Sequence, residues 1–426
     1  MTDRSGREKS IGKDLFLSAA TPALRLAAAF LQFAATVWIA RLLGESAAGD
    51  FFFWSGVLMY VGQVASIGLD GLALQQTPRL RDRPNALGRF LGQNRTLIVI
   101  FAMVIGTVLI GYAKFLQPDT ARPLLWYLAL PLCTAGVALS RINGEAMKGL
   151  GHPLLGIVYR QLLIGAFFIV ALVVYGKQLT ANNALIIFAL AFLLSGLAPI
   201  VGPGFRGLAP QFCRTTWEHS RPCLRDATPL FVFTVLVALS YVVPLVMLER
   251  NHPPEAISFF TTTFRIFMLV DLLGLAVHSV LLPGLSRAGN RLDWRSVSKI
   301  YQQATLNGLL LMSIPILVVF FAAVPIMSLF GDEFTAAAPL LRVMLVFAAL
   351  SLLLGPANEL ILMINHTYMR AVLAAASLLL TLILSLLYIP EYGSIAVAYV
   401  IGCGMIFQKL LCIAHYARHT WMSSKN

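Results

Sequence analysis

The sequence predicts an all-α polytopic membrane protein, with twelve transmembrane helices in two pseudo-symmetric six-helix lobes. Three observations carry that prediction. Hydrophobic residues make up 58% of the 426 and charged residues only 12%, where a soluble protein carries about 25% charged residues. Apolar runs of about 20 residues, the length a helix needs to cross the hydrocarbon, recur along the whole chain. Lys and Arg, finally, collect beside alternate ends of those runs.

The runs fall at approximately 15–40, 50–74, 96–117, 123–143, 154–176, 182–203, 227–248, 256–282, 305–329, 338–364, 370–389 and 393–416. With the N-terminus in the cytoplasm, 24 of the 32 Lys and Arg fall on the inner side. Five face outward (Arg41, Lys114, Arg122, Lys177 and Arg250), and Arg25, Arg265 and Arg342 lie inside runs. Cytoplasmic loops retain basic residues, so this asymmetry predicts both termini inside. The basic arm before residue 15 leads into a run too long for a signal-peptide core, so the first helix is expected to be retained.

The basic loop halfway along the chain sets the expected boundaries. These are 1–205 for an N-terminal six-helix lobe, 206–226 for a cytoplasmic inter-lobe loop and 227–426 for a C-terminal six-helix lobe. The halves look alike: a short turn from Gly44 leads to Phe51-Phe52-Phe53-Trp54, and a turn from Glu249 leads to Phe259-Phe260. Two lobes of the same orientation imply a repeat axis along the membrane normal and a cargo site between lobes.

Several classes are excluded. Net charge is +13, but the basic residues are dispersed between apolar runs, so no nucleic-acid surface is expected. Cys133, Cys213, Cys223, Cys403 and Cys412 form no CxxC and no Cys/His ligand spacing, so neither metal nor cofactor is expected. There is no Walker A, GxSxG or HExxH motif, which argues against an enzyme.

The eighth run carries the chemistry. Arg265, Asp271 and His278 sit within it, and an ionisable group at that depth costs at least about 2.5–3.5 kcal/mol, so each needs a partner or water. Asp271 and His278 share a helix face, while Arg265 lies about 120° from Asp271. In the first run Arg25 and Gln32 share a face, so each lobe carries one guanidinium. Guanidinium groups stay charged and grip phosphate oxygens bidentately, which points to an anionic, phosphate-bearing cargo. The competing account is static pairing of Arg265 with Asp271 or Glu359, and snorkelling of Arg25 to the inner surface. Arg342, near the start of the tenth run, is expected to snorkel, and Asp70 to cap the inner end of the second. Glu359, beside Pro356, is either a proton-coupling acid or a counter-charge. Asp271 and His278 are either a proton relay or a structural pair.

Four short motifs run in order along most of the chain. They are Ala40-Arg41-Leu42-Leu43-Gly44 with Gly49-Asp50-Phe51-Phe52; Phe264-Arg265-Ile266 with Leu281-Leu282-Pro283-Gly284-Leu285-Ser286; Leu329-Phe330-Gly331-Asp332-Glu333-Phe334; and Pro390-Glu391-Tyr392-Gly393-Ser394-Ile395-Ala396. Together they resemble the polysaccharide transporter branch of the multidrug/oligosaccharidyl-lipid/polysaccharide superfamily, which also holds the MATE multidrug exporters and the peptidoglycan-precursor flippases. The resemblance implies a MATE-like fold, alternating access and an undecaprenyl-diphosphate-linked oligosaccharide as cargo. It implies that Arg25 and Arg265 matter; from the residues themselves, Gln32 and Asp271 are the further substrate-binding candidates and Glu359 and His278 the coupling candidates. A monomer in the bacterial inner membrane is expected, with a polysaccharide polymerase as a candidate partner. The alternative is a cation-coupled multidrug exporter of the MATE type. It would need an unpaired membrane acid as its central feature, and Asp271 or Glu359 could serve, although the core of the first run has no acid.

Overall fold

The computed structural model describes residues 2–116, 122–202, 205, 212–214, 217–279, 294–363 and 367–423. Within these segments the side chains of 2–19, 22, 217, 219, 271–279, 294–295, 359, 362–363, 367 and 421–423 lie outside the described residues.

The described residues form helices α1 (Thr2–Ala65), α2 (Leu69–Leu80), α3 (Pro84–Leu116), α4 (Leu124–Gly149), α5 (Pro153–Ile157), α6 (Leu163–Tyr175) and α7 (Ala181–Val201). There follow α8 (Trp217–Asn251), α9 (Pro254–Ser279), α10 (Trp294–Phe321), α11 (Ala323–Met327), α12 (Ala338–Leu353), α13 (Ala357–Met363) and α14 (Thr367–Ser423). Among the described residues, nine helices are long and apolar enough to cross a membrane. The protein is therefore a multi-pass, all-α membrane protein.

Two of those nine segments run for 43 and 53 residues, about twice the length of one crossing. Each is two helices that meet at a kink, as the separate runs in the sequence require: the first two runs turn at Gly44 (φ 73°, ψ 173°), and the last two at Gly393 (φ 60°, ψ −135°). A single glycine suffices because, lacking Cβ, it adopts positive φ at little cost, so no longer loop is needed to redirect the chain.

Contacts group the chain into two compact units. The first comprises residues 1–35 and 57–231, the second residues 36–56 and 232–426. The segment 36–56 thus packs with the later part of the chain rather than with the segments that flank it. Part of the reason is Gly49, where an added Cβ would meet the Pro254 carbonyl, so only glycine allows that approach. Arg41 Nε also donates to the Leu329 carbonyl at 2.6 Å.

In the first unit α4 packs against α7, α3 and α2. A Cβ on Gly196 would lie 2.8 Å from the Gly136 carbonyl, so the α4–α7 crossing relies on small residues as membrane helix interfaces commonly do. In the second unit α9 packs against α10, α12 and α14.

Candidate functional site

In the first unit the site grows from a strained turn. Helix α1 ends at Ala65, and the turn into α2 puts Ile67 at φ 53° and Gly68 at φ 72°. Left-handed backbone is a genuine outlier for a β-branched residue and costs on the order of 1–3 kcal/mol. The turn delivers Asp70. Its Oδ1 accepts from Ser66 Oγ at 3.1 Å, and its Oδ2 accepts from Arg141 Nε at 3.0 Å and Nη2 at 2.7 Å. Asp70 is thus an ion-pair partner of α4 rather than the cap expected from its position.

One turn further along α4, Glu145 Oε1 accepts from Lys148 Nζ at 2.7 Å and from Arg160 Nη1. Arg160 sits in a one-turn π-helix, Val158–Leu162, between α5 and α6. Such insertions are uncommon and recur at functional sites. Arg25 of α1, half-buried, is within Coulombic range of Lys148 and Arg160. Gln32 is exposed and its Nε2 donates to the Gln161 carbonyl at 3.3 Å, next to Arg160. Among the described residues, four cations (Arg25, Arg141, Lys148, Arg160) face two carboxylates (Asp70, Glu145) in this network, so positive charge is in excess. In sequence alone, Arg141, Lys148 and Arg160 are three of the 24 inner-side basic residues and read as loop charges. Glu145, an acid within a turn of Arg141 and Lys148, was the available signal of a network.

In the second unit the centre is Arg265 of α9. Its Nη1 donates to Thr36 Oγ1, and its Cζ lies 5.0 Å from the centre of the Phe52 ring. An arginine over an aromatic face gains electrostatic stabilisation from the ring without losing its charge. No carboxylate pairs with Arg265 among the described residues. The surroundings are apolar: Phe264, next in sequence, stacks on Phe260 at 5.5 Å and Phe267 at 5.8 Å. Thr262 and Thr263 return their hydroxyls to carbonyls of their own helix, at distances of 2.8–3.1 Å. Asp271, His278 and Glu359 have side chains outside the described residues. Arg342 donates its Nε to the Phe320 carbonyl at 3.3 Å, so it is anchored to another helix.

Among the sequence-derived candidates, Arg25 and Gln32 thus fall in the first unit and Arg265 in the second. The partners Thr36 and Phe52 were not singled out, since nothing in a sequence ties a hydroxyl in the first run to an arginine in the eighth. No group of three or more His, Cys, Asp or Glu suited to a metal ion occurs among the described residues.

These features define the class: a multi-pass α-helical membrane protein with the fold of the MATE-like transporters. Among solved structures, that of an inward-facing multidrug resistance MATE family transporter of the MOP superfamily aligns with a TM-score of 0.72. It is 13% identical and the alignment covers 95% of this chain and 99% of that one. The lipid II flippase MurJ, in an inward closed conformation, aligns with a TM-score of 0.75 at 14% identity over 93% of this chain and 87% of its own. A MOP superfamily transporter from Pyrococcus furiosus, whose binding pocket is described as having reverse polarity, gives a TM-score of 0.68 at 14% identity, covering 95% and 94% of the two chains. In sequence, the chain is 22% identical over 405 residues to the probable low-salt glycan biosynthesis flippase Agl15 of Haloferax volcanii, covering 91% of this chain and 79% of that protein. No family model matches the chain.

Proposed function

We propose that the protein is a flippase that carries an undecaprenyl-diphosphate-linked oligosaccharide, an O-antigen or exopolysaccharide repeat unit, across the bacterial inner membrane by alternating access. The observation that carries this reading is Arg265: a cation deep in an apolar helix that, among the described residues, is held by a hydroxyl and an aromatic face and by no carboxylate. The likeness to Agl15 supports a lipid-linked glycan as the class of cargo. The protein acts as a transporter rather than an enzyme.

Stripping water from each polar group of a sugar costs kilocalories in hydrocarbon, so the glycan needs a wet, polar path. Arg265 and Arg25 bind the diphosphate, with Gln32 and Asp271 contributing polar contacts. The excess positive charge around Arg25 raises the local concentration of anionic headgroups on that side. Glu359 and His278 are the candidates for ion coupling. Twelve crossings in two six-helix lobes, 1–205 and 227–426, joined by a cytoplasmic loop, leave both termini in the cytoplasm. The membrane potential assists, since moving two negative charges outward is favoured by roughly 4–5 kcal/mol per 100 mV.

Gene deletion tests the reading. Lipid-linked glycan should accumulate on the inner face of the membrane, and surface glycan should fall. Normal surface glycan with altered tolerance to cationic drugs would instead make the protein a cation-coupled multidrug exporter.

A further inference from the structure

The end of the first unit at which α3 begins is strongly basic. Helix α2 passes through a tight turn, in which the Arg83 amide donates to the Leu80 carbonyl at 2.9 Å, into the membrane-length stretch Pro84–Phe115 of α3. Arg79, Arg81, Arg83 and Arg89 stand on and beside this turn, and all four are exposed. Asp82 is the one acid between positions 79 and 89. None of the four arginines forms an ion pair among the described residues.

The neighbouring surface is apolar. Helix α2 buries Leu69, Leu72, Ala73 and Thr77, and leaves Leu74, 40% exposed, and Pro78 uncovered on one face a turn apart. Cys213 Sγ donates to the Arg89 carbonyl at 3.8 Å, which places Phe212, 43% exposed, and the exposed Arg214 beside Arg89. Exposed cations, a phenyl ring and a leucine thus meet at the end of a helix long enough to cross a membrane, the depth at which headgroups lie.

We propose that this end of the first unit is a docking surface for anionic phospholipid headgroups. Four like charges on one turn repel one another. Phosphodiester groups relieve that repulsion and accept the planar, bidentate bonds of guanidinium. Clusters of about four to eight basic residues beside a membrane helix recognise anionic lipid in this way, each contributing roughly fivefold. Leu74 and Phe212 enter the apolar boundary below the headgroups, a contact that an acidic soluble protein would not supply. The surface is distinct from the cargo arginines, and it does not depend on the identity of the transported glycan.

The test is equilibrium binding of fluorescent phosphatidylglycerol, and of phosphatidylcholine with the same label, to the full-length protein in neutral detergent. The wild type should bind phosphatidylglycerol at least tenfold more tightly, and added salt should reduce the preference. Replacing Arg79, Arg81, Arg83 and Arg89 together by Gln should remove it. Should that variant fail to accumulate, Arg79→Gln with Arg81→Gln, and Arg83→Gln with Arg89→Gln, should each remove part of it. Lys114→Gln with Lys177→Gln, two exposed cations at the opposite end of α3 and just past α6, should leave it intact. Equal affinity of the wild type for the two lipids overturns the surface and leaves the arginines to an acidic soluble partner. An unchanged preference in the arginine variants, or an equal loss in the lysine variant, which would reduce the effect to net charge, also overturns it. So does a preference lost in Arg265→Ala and kept in the fourfold variant, which would place the lipid at the cargo arginine.

Discussion

The two units handle internal charge in opposite ways. In the first, Arg141, Lys148 and Arg160 each hold a carboxylate, Asp70 or Glu145, at ion-pair distance. In the second, Arg265 has a hydroxyl and the face of a phenyl ring, neither of which cancels its charge. Paired charges in a poorly solvated place mainly hold a structure together, because removing one strands the other. A charge stabilised without being neutralised is suited to bind. The ion pairs of Asp70 and Glu145 should therefore respond to mutation in stability, and Arg265 in transport.

The largest effect is expected at Arg265. Arg265→Ala should abolish transport, by more than about a hundredfold, at normal protein abundance, because removing one side of the buried charge pair that it forms with the anionic cargo costs about 2–5 kcal/mol of binding. Arg265→Lys should keep a fraction, since the charge remains but the bidentate fork is lost. Glycan display and membrane abundance, measured together, check both; full activity in both variants would erase the contrast between the units.

Next comes Glu145→Gln, which leaves Lys148 and Arg160 without their shared carboxylate. These side chains keep some solvent contact, so a loss of about 2–3 kcal/mol is expected, below the full cost of breaking a buried pair. A lower melting temperature in detergent, with transport per folded molecule retained, would fit the assignment. Gly68→Ala should cost about 1–3 kcal/mol, since alanine is strained at φ 72° and its Cβ would lie 2.8 Å from the Ala227 carbonyl. Thermal melting reads this too, and a neutral result would mean that the turn before Asp70 relaxes freely. The smallest effect belongs to Phe52→Leu. It keeps much of the packing but removes the ring under Arg265, a contribution of roughly 0.5–2 kcal/mol, so transport should fall severalfold with little change in abundance.

Much of the fold was legible because membrane insertion is written in one-dimensional quantities. Apolar length alone marks the helices that can cross a membrane, without knowledge of any contact. How tightly the paired helices turn was not legible, since Gly44 and Gly393 resemble ordinary turn glycines until their backbone angles are known. Arg25 and Arg265 stood out because charge inside an apolar run is costly wherever it occurs. Their surroundings did not. Thr36 and Phe52 reach Arg265 across more than 200 positions of chain, and Arg160 meets Glu145 only through the π-turn that carries it.

The most direct measurement uses the purified protein in liposomes carrying a fluorescent polyprenyl-diphosphate oligosaccharide. Movement of the glycan to the opposite leaflet, fast with the wild type and at the protein-free rate with Arg265→Ala, is the predicted result. Equal rates for the two proteins, or wild-type vesicles that move a cationic dye and leave the glycan in place, would contradict the account.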